Sequence, residues 1–296
     1  MKLEKVKTKK KIIAMILLAL TLFSVVQPVF AVSGSGSFTA GQYNSGIQTT
    51  DHNGSVGIII RRLINLTTGK RMTVFCAEHG TDFSTGAIEN GGYYTPTTPE
   101  MKKACKIAYF GWYSKYGDYV VDGGILSGDM YNVKMDYVFT QQYIWEALGQ
   151  SNATFKNISI QNQYNSFKST INQQINNMTK QPSFVGTTIE LEAGETKTIT
   201  DTNNVLKDYN SIDKTVDGFR FVHNKGQNTI TITVDQNCNR ENYRISDATM
   251  KEWGMIKDGT QDNDTTIYFT FPDGVQDQLY SLHYNDPVTM SLSLKI

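Results

Sequence analysis

Two side chains stand out for the chemistry their types and surroundings allow. Cys76 closes the run "MTVFC", with Met72 and Val74 on its face. Gln141 lies in "TQQYIWEALG", Thr140 to Gly149, which reads as a short amphipathic helix. Residues three, four and seven apart share a helix face, so Gln141, Ile144, Trp145 and Leu148 form one stripe. A buried amide without partners costs roughly 1–3 kcal/mol, so a glutamine in that stripe needs a reason. One reason is a hydrogen bond to nearby backbone. The other is reaction: a thiolate attacks the carboxamide, expels ammonia and leaves a thioester, and burial then keeps water off the bond. Cys76, an unpaired thiol at the end of a structured element, is a partner for that reaction. Gln142, next door, points away from the stripe.

The chain has three cysteines, Cys76, Cys105 and Cys238. In an exported protein an odd number leaves at least one outside internal disulfides. Cys105 falls on the apolar face of a predicted helix, as a core thiol; Cys238 falls in the polar loop "DQNCNREN". His79, three residues after Cys76, is a candidate base for the thiol or for an incoming amine. Its alternative is a loop histidine with a structural hydrogen bond, and Glu78 beside it is a further candidate. A Cys–His pair also raises a cysteine peptidase or transglutaminase, but no local signature of either surrounds Cys76.

These residues need elements to position them. "VGIIIRRLINLTTGKRMTVFC" reads as a hairpin turning at Thr67–Lys70. "TPEMKKACKIAYFGWYSKYG" reads as a helix capped by Thr98, with Pro99 at its first position. A glycine- and aspartate-rich loop, 117–136, precedes the helix that carries Gln141, and Gly149 ends that helix. A further helix follows around Tyr164, Phe167, Ile171, Ile175 and Met178. Beyond "TKQPSFVG" the pattern alternates at period two, in "TIELE", "TKTIT", "FRFVH", "NTITITV", "TIYFTF" and "VTMSLSLKI", with a turn at 224–227. Short strands with such turns predict a β-sandwich, separated from the helical part near residue 182. "SGSGS", 33–37, reads as a flexible leader.

Residues 1–31 carry six lysines, then the apolar "IIAMILLALTLFSVV", then "VFA": a secretory signal peptide cut after Ala31, with an uncleaved anchor as the competing reading. The remainder holds 22 basic and 27 acidic side chains, net −5. It has no basic stripe, which argues against nucleic acid, and no second apolar run long enough to span a membrane. "GDYVVDGGILSGD" lacks the alternating oxygen ligands and distal glutamate of a calcium loop, so neither metal nor cofactor is expected.

"FC" (Phe75, Cys76) followed 65 positions later by "TQQYIW" (Thr140–Trp145) resembles the signature of the thioester domains found on surface proteins and pilus tips of Gram-positive bacteria. The commoner family form has alanine where Tyr143 stands. The likeness covers roughly residues 38–180; residues 182–296 are similar to the β-sandwich region that often follows in such adhesins. The resemblance implies an α+β architecture: a mixed β-sheet and helical thioester domain (32–181), then an all-β immunoglobulin-like sandwich (182–296). It implies Cys76 as thioester sulfur and Gln141 as acyl donor. It implies a secreted or cell-surface adhesin, not a catalyst, that attaches covalently to an amine on a host-surface molecule. A non-covalent binding or stalk module with an inert motif is the alternative.

Overall fold

The hairpin forms because two β-branched, apolar runs flank a turn that Asn65 and Gly69 make. Asn65 Oδ1 accepts the N–H groups of Thr67 and Thr68, each at 2.9 Å, and Gly69 takes a φ of +69°, which glycine adopts without strain. The computed structural model describes residues 34–51, 57–81, 86–94, 96–117, 130–260, 266–270, 276–282 and 286–296. The expected signal peptide and the glycine- and aspartate-rich stretch 118–129 lie outside them.

Strands β1 (Gly34–Asn44), β2 (Ile59–Asn65), β3 (Arg71–Cys76) and β4 (Gly86–Tyr94) form a sheet in the order β4-β1-β2-β3. Its two open edges are bridged by a hairpin from far along the chain, β11 (Thr266–Thr270) and β12 (Gln278–Ser281). The result is a closed barrel, β1-β2-β3-β12-β11-β4, with every pairing antiparallel. Closure removes the edges that would otherwise invite pairing with other chains. One expectation is corrected here. "SGSGS" is no loose leader, because Gly34 onward pairs with β4. The barrel also runs across the expected boundary near residue 182, because β11 and β12 complete what the N-terminal strands begin.

The helices are α1 (Pro99–Ala108), α2 (Met130–Ala147), α3 (Ile158–Thr179) and the short α4 (Asp247–Glu252). Thr98 Oγ1 caps α1 through Met101 N at 3.2 Å, with Pro99 in the first turn, as predicted. α1 then widens into a π turn, Tyr109–Tyr113, before a last turn at Ser114–Tyr116. α2 begins earlier than the sequence suggested, absorbing 130–136 from the expected loop. It is also not amphipathic: every residue from Tyr137 to Trp145 is buried, as in a helix enclosed on all sides. Its end is as read. Gly149 has φ +70°, and the N–H groups of Gly149 and Gln150 bond Glu146 O and Trp145 O, a Schellman cap.

The remaining strands form two further sheets. One has three strands, β10 (Asn242–Ile245), β13 (Leu292–Lys295) and β5 (Thr188–Glu190), with β13 and β5 parallel. The other runs β6 (Thr196–Thr200), β9 (Thr229–Val234), β8 (Phe219–His223), β7 (Ile212–Val216). The mixture of helices and sheets is the one expected; this strand order does not by itself establish an immunoglobulin-like sandwich. Among the described residues, no helix is long and apolar enough to cross a membrane.

Candidate reactive site

Strand β3 is gripped along its length. Tyr113, in the π turn, donates its hydroxyl to Thr73 O at 2.6 Å. Tyr137, on α2, donates to Val74 O at 2.7 Å and accepts Arg61 N at 3.1 Å. Arg61 and Val74 face each other in the β2–β3 register, so this hydroxyl stands inside the ladder between them. The Phe75 ring stacks on Tyr137 at 4.6 Å and meets Trp112 and Tyr113 edge-on. The residue before the cysteine is thereby fixed on three sides.

One helical turn beyond Tyr137, Gln141 reaches Cys76. Two strand residues advance about 6.6 Å and four helix residues about 6 Å, so one face of α2 meets β3 at every second residue. Gln141 Oε1 accepts Cys76 N at 2.7 Å, and its Nε2 donates to Cys76 O at 3.0 Å. The sequence-predicted pair is therefore in contact, with exposures of 0% for Gln141 and 1% for Cys76. The amide is satisfied at both ends, which meets the requirement of a structural glutamine. It also meets that of a reactive one. The N–H on Oε1 polarises the carbonyl carbon that a thiolate would attack, and would steady the oxyanion formed there.

The sulfur has its own partner. Arg61 Nε donates to Cys76 Sγ at 2.9 Å. Gln278 is the register partner of Cys76 on β12. Burial pushes the Cys76 thiol above its ordinary value; the charge and hydrogen bond of Arg61 pull against it without reversing it. Sequence reading missed both residues. Arg61 did leave a sign, a cation within "GIIIRRLI", where its strand partner carries Met72 and Val74. Gln278 left little, on a four-residue strand buried throughout.

Beyond Cys76 the chain is held by two more glutamines. Gln150 accepts His79 N at 2.8 Å and donates to Ala77 O at 2.9 Å. Gln276 donates to Glu78 O. A cleft of about 210 Å³ opens here, lined by Cys76, Arg61, His79, Asp51, Trp145 and Gln276 among others. The His79 ring stands edge-on to Trp145 at 4.6 Å, and its Nε2 lies 3.7 Å from Asp51 Oδ2. The structure thus places His79 in the cleft that reaches Cys76. Glu78 turns to Asp277, accepting its N–H at 3.2 Å.

Gln142 points away from Gln141 but is equally buried, with Nε2 3.2 Å from Ser151 Oγ, which in turn donates to Asp51 Oδ2 at 2.5 Å. All three cysteines are free, Cys105 buried and Cys238 partly so. Among the described residues, no group of three or more His, Cys, Asp or Glu is disposed to hold a metal.

No family profile matches this sequence, and no curated protein does. Among solved structures, the thioester domain of the Staphylococcus aureus TIE protein is similar: 17% identical, over 88% of this chain and 98% of that one, with a TM-score of 0.49. A likeness at that level says nothing about individual residues.

Proposed function

We propose that the chain is a covalent binding protein whose Cys76 and Gln141 close an internal thioester. The observation that carries this reading is the pairing of the buried Gln141 carboxamide with the backbone of the buried Cys76. Sγ attacks Cδ of Gln141; the C–N bond breaks, and the nitrogen leaves as ammonia with the thiol proton. An amine then adds to the same carbon, the C–S bond breaks, and an amide joins Gln141 to the target while Cys76 returns as a thiol. His79, at the mouth of the cleft and oriented by Asp51, takes the proton of the incoming amine. The reaction runs once, with the logic of a covalent intermediate that water never resolves. In this reading the protein is a secreted, cell-surface adhesin, its target an amine on a host-surface molecule, and the C-terminal sheets an immunoglobulin-like spacer.

Intact-mass spectrometry tests it. Freshly purified wild type is expected to be lighter than its sequence mass by one ammonia, and Cys76→Ala or Gln141→Ala restores the full mass. Methylamine adds to wild type at Gln141 and frees the Cys76 thiol. Full mass in fresh wild type, with no methylamine uptake, supports the second reading: a non-covalent binding or stalk module in which Gln141 only staples α2 to β3. The pairing of both ends of its amide with backbone is what favours that alternative.

A further inference from the structure

The sheet face that carries Cys76 also carries a cation. Gln42 and Arg61 are register partners across β1 and β2, Arg61 and Val74 across β2 and β3, and Cys76 and Gln278 across β3 and β12. Val74 and Cys76 are two apart, so all of these side chains project from one face. In that row the Arg61 guanidinium lies diagonal to Cys76, its Nε 2.9 Å from Sγ. Its side chain is held from behind, where Nη1 donates to Gln42 Oε1, and its backbone N–H is held by the Tyr137 hydroxyl. At 8% exposure the residue is itself buried.

We propose that Arg61 stabilises the negative charge that the Cys76 sulfur takes on, both as nucleophile when the thioester closes and as leaving group when an amine opens it. This inference rests on the thioester reading above. In each direction the negative charge passes through sulfur. On closure, the S–C bond forms as the C–N bond breaks, and the proton taken from sulfur leaves with ammonia. On opening, the electron pair of the C–S bond returns to Sγ and the amine proton goes to a base. A thiolate, not a thiol, is the competent nucleophile and the better leaving group.

The neighbours of the sulfur leave that task to Arg61. Gln278, from β12, is neutral. Tyr137, from α2, is held protonated by burial and by the nearby sulfur. His79 and Asp51 stand in the cleft beside the thiol. Arg61 is the permanent cation among these groups, and its contact opposes the burial that keeps the proton on sulfur. Its planar fork lets one N–H serve the sulfur while another is anchored on Gln42.

The test uses the full chain with Arg61→Gln and Arg61→Lys, each checked for a cooperative thermal transition. Methylamine uptake by wild type and both variants is followed by intact mass. In parallel, thiolate formation is followed by ultraviolet absorbance against pH in a Gln141→Ala background, read as the difference from Cys76→Ala. Arg61→Gln is expected to slow methylamine uptake roughly tenfold or more and to raise the thiolate midpoint by about one pH unit; Arg61→Lys falls between. Wild-type uptake rates and an unmoved midpoint in both variants overturn the proposal. Wild type that never loses ammonia overturns the thioester reading instead, and the titration still reports whether Arg61 stabilises the thiolate.

Discussion

Glutamine is a poor residue to bury unless both ends of its amide find partners. Around Cys76 the chain buries three of them, Gln141, Gln276 and Gln278, and adds Gln150 at the rim. Gln141 and Gln150 work alike, each accepting one backbone N–H and donating to one backbone carbonyl of the 76–79 segment. Helical phase and the strand end made Cys76 and Gln141 legible in the sequence. Arg61 and Gln278 were not, because their meaning lies in cross-strand register, which local pattern does not encode. Asp201 was missed as well; its carboxylate takes the N–H groups of Asn203, Val205 and Leu206 just ahead of it and of Ser183. Burial alone would raise its pKa, but those donors outweigh it and hold it below the ordinary value of 3.8. A depressed folded pKa means stability that is fully present above the unfolded value and is lost as pH falls through the folded one. Asp201→Ala is therefore expected to cost about 2–3 kcal/mol at neutral pH, with the gap from wild type closing below about pH 4. Urea unfolding at a series of pH values measures it; a pH-independent gap would show that the charge is irrelevant.

The helices place the site by close approach. α1 and α2 meet where Gly111 faces Thr140, the residue before Gln141, and a β-carbon on Gly111 would collide with the Thr140 hydroxyl. That hydroxyl already bonds Asp136 O at 2.6 Å. The π turn falls at this crossing, and it delivers Trp112 and Tyr113 to Phe75. Gly111→Ala is expected to lower stability by about 1–3 kcal/mol, the usual range for overpacking, and Gly111→Ala with Thr140→Ala to recover part of the loss. Thermal melts of the two single variants and the double variant give the coupling; strict additivity would count against the collision. The Thr98 cap, the turn at 67–70, the Gly149 terminus and the apolar spacing of Tyr164, Phe167, Ile171 and Ile175 made the hairpin and three helices readable. The π turn was not, because it answers to a neighbour rather than to its own sequence. Nor was β1 at "SGSGS", whose pairing with β4 comes from ladder closure and not from β propensity.

For the whole molecule, the decisive feature is that the barrel is built from both ends of the chain. Residues 32–181 alone leave β3 and β4 as open edges. That fragment is expected to lack a cooperative thermal transition, where residues 32–296 show one; circular dichroism decides, and a fragment melting near the full chain would refute the claim. Local periodicity pointed to a sandwich after residue 182 because alternation reports a strand without reporting its partner. Barrel closure from both ends also sets a timetable. A ribosome releases Cys76 and Gln141 well before Gln278, and chains tend to fold from the N-terminus as they emerge. Until β12 docks, Cys76 ends a strand with one edge open. In the proposed reading the electrophile is thus completed only after β12 has emerged and docked, so a chain short of that point passes the amines of its own cell unarmed.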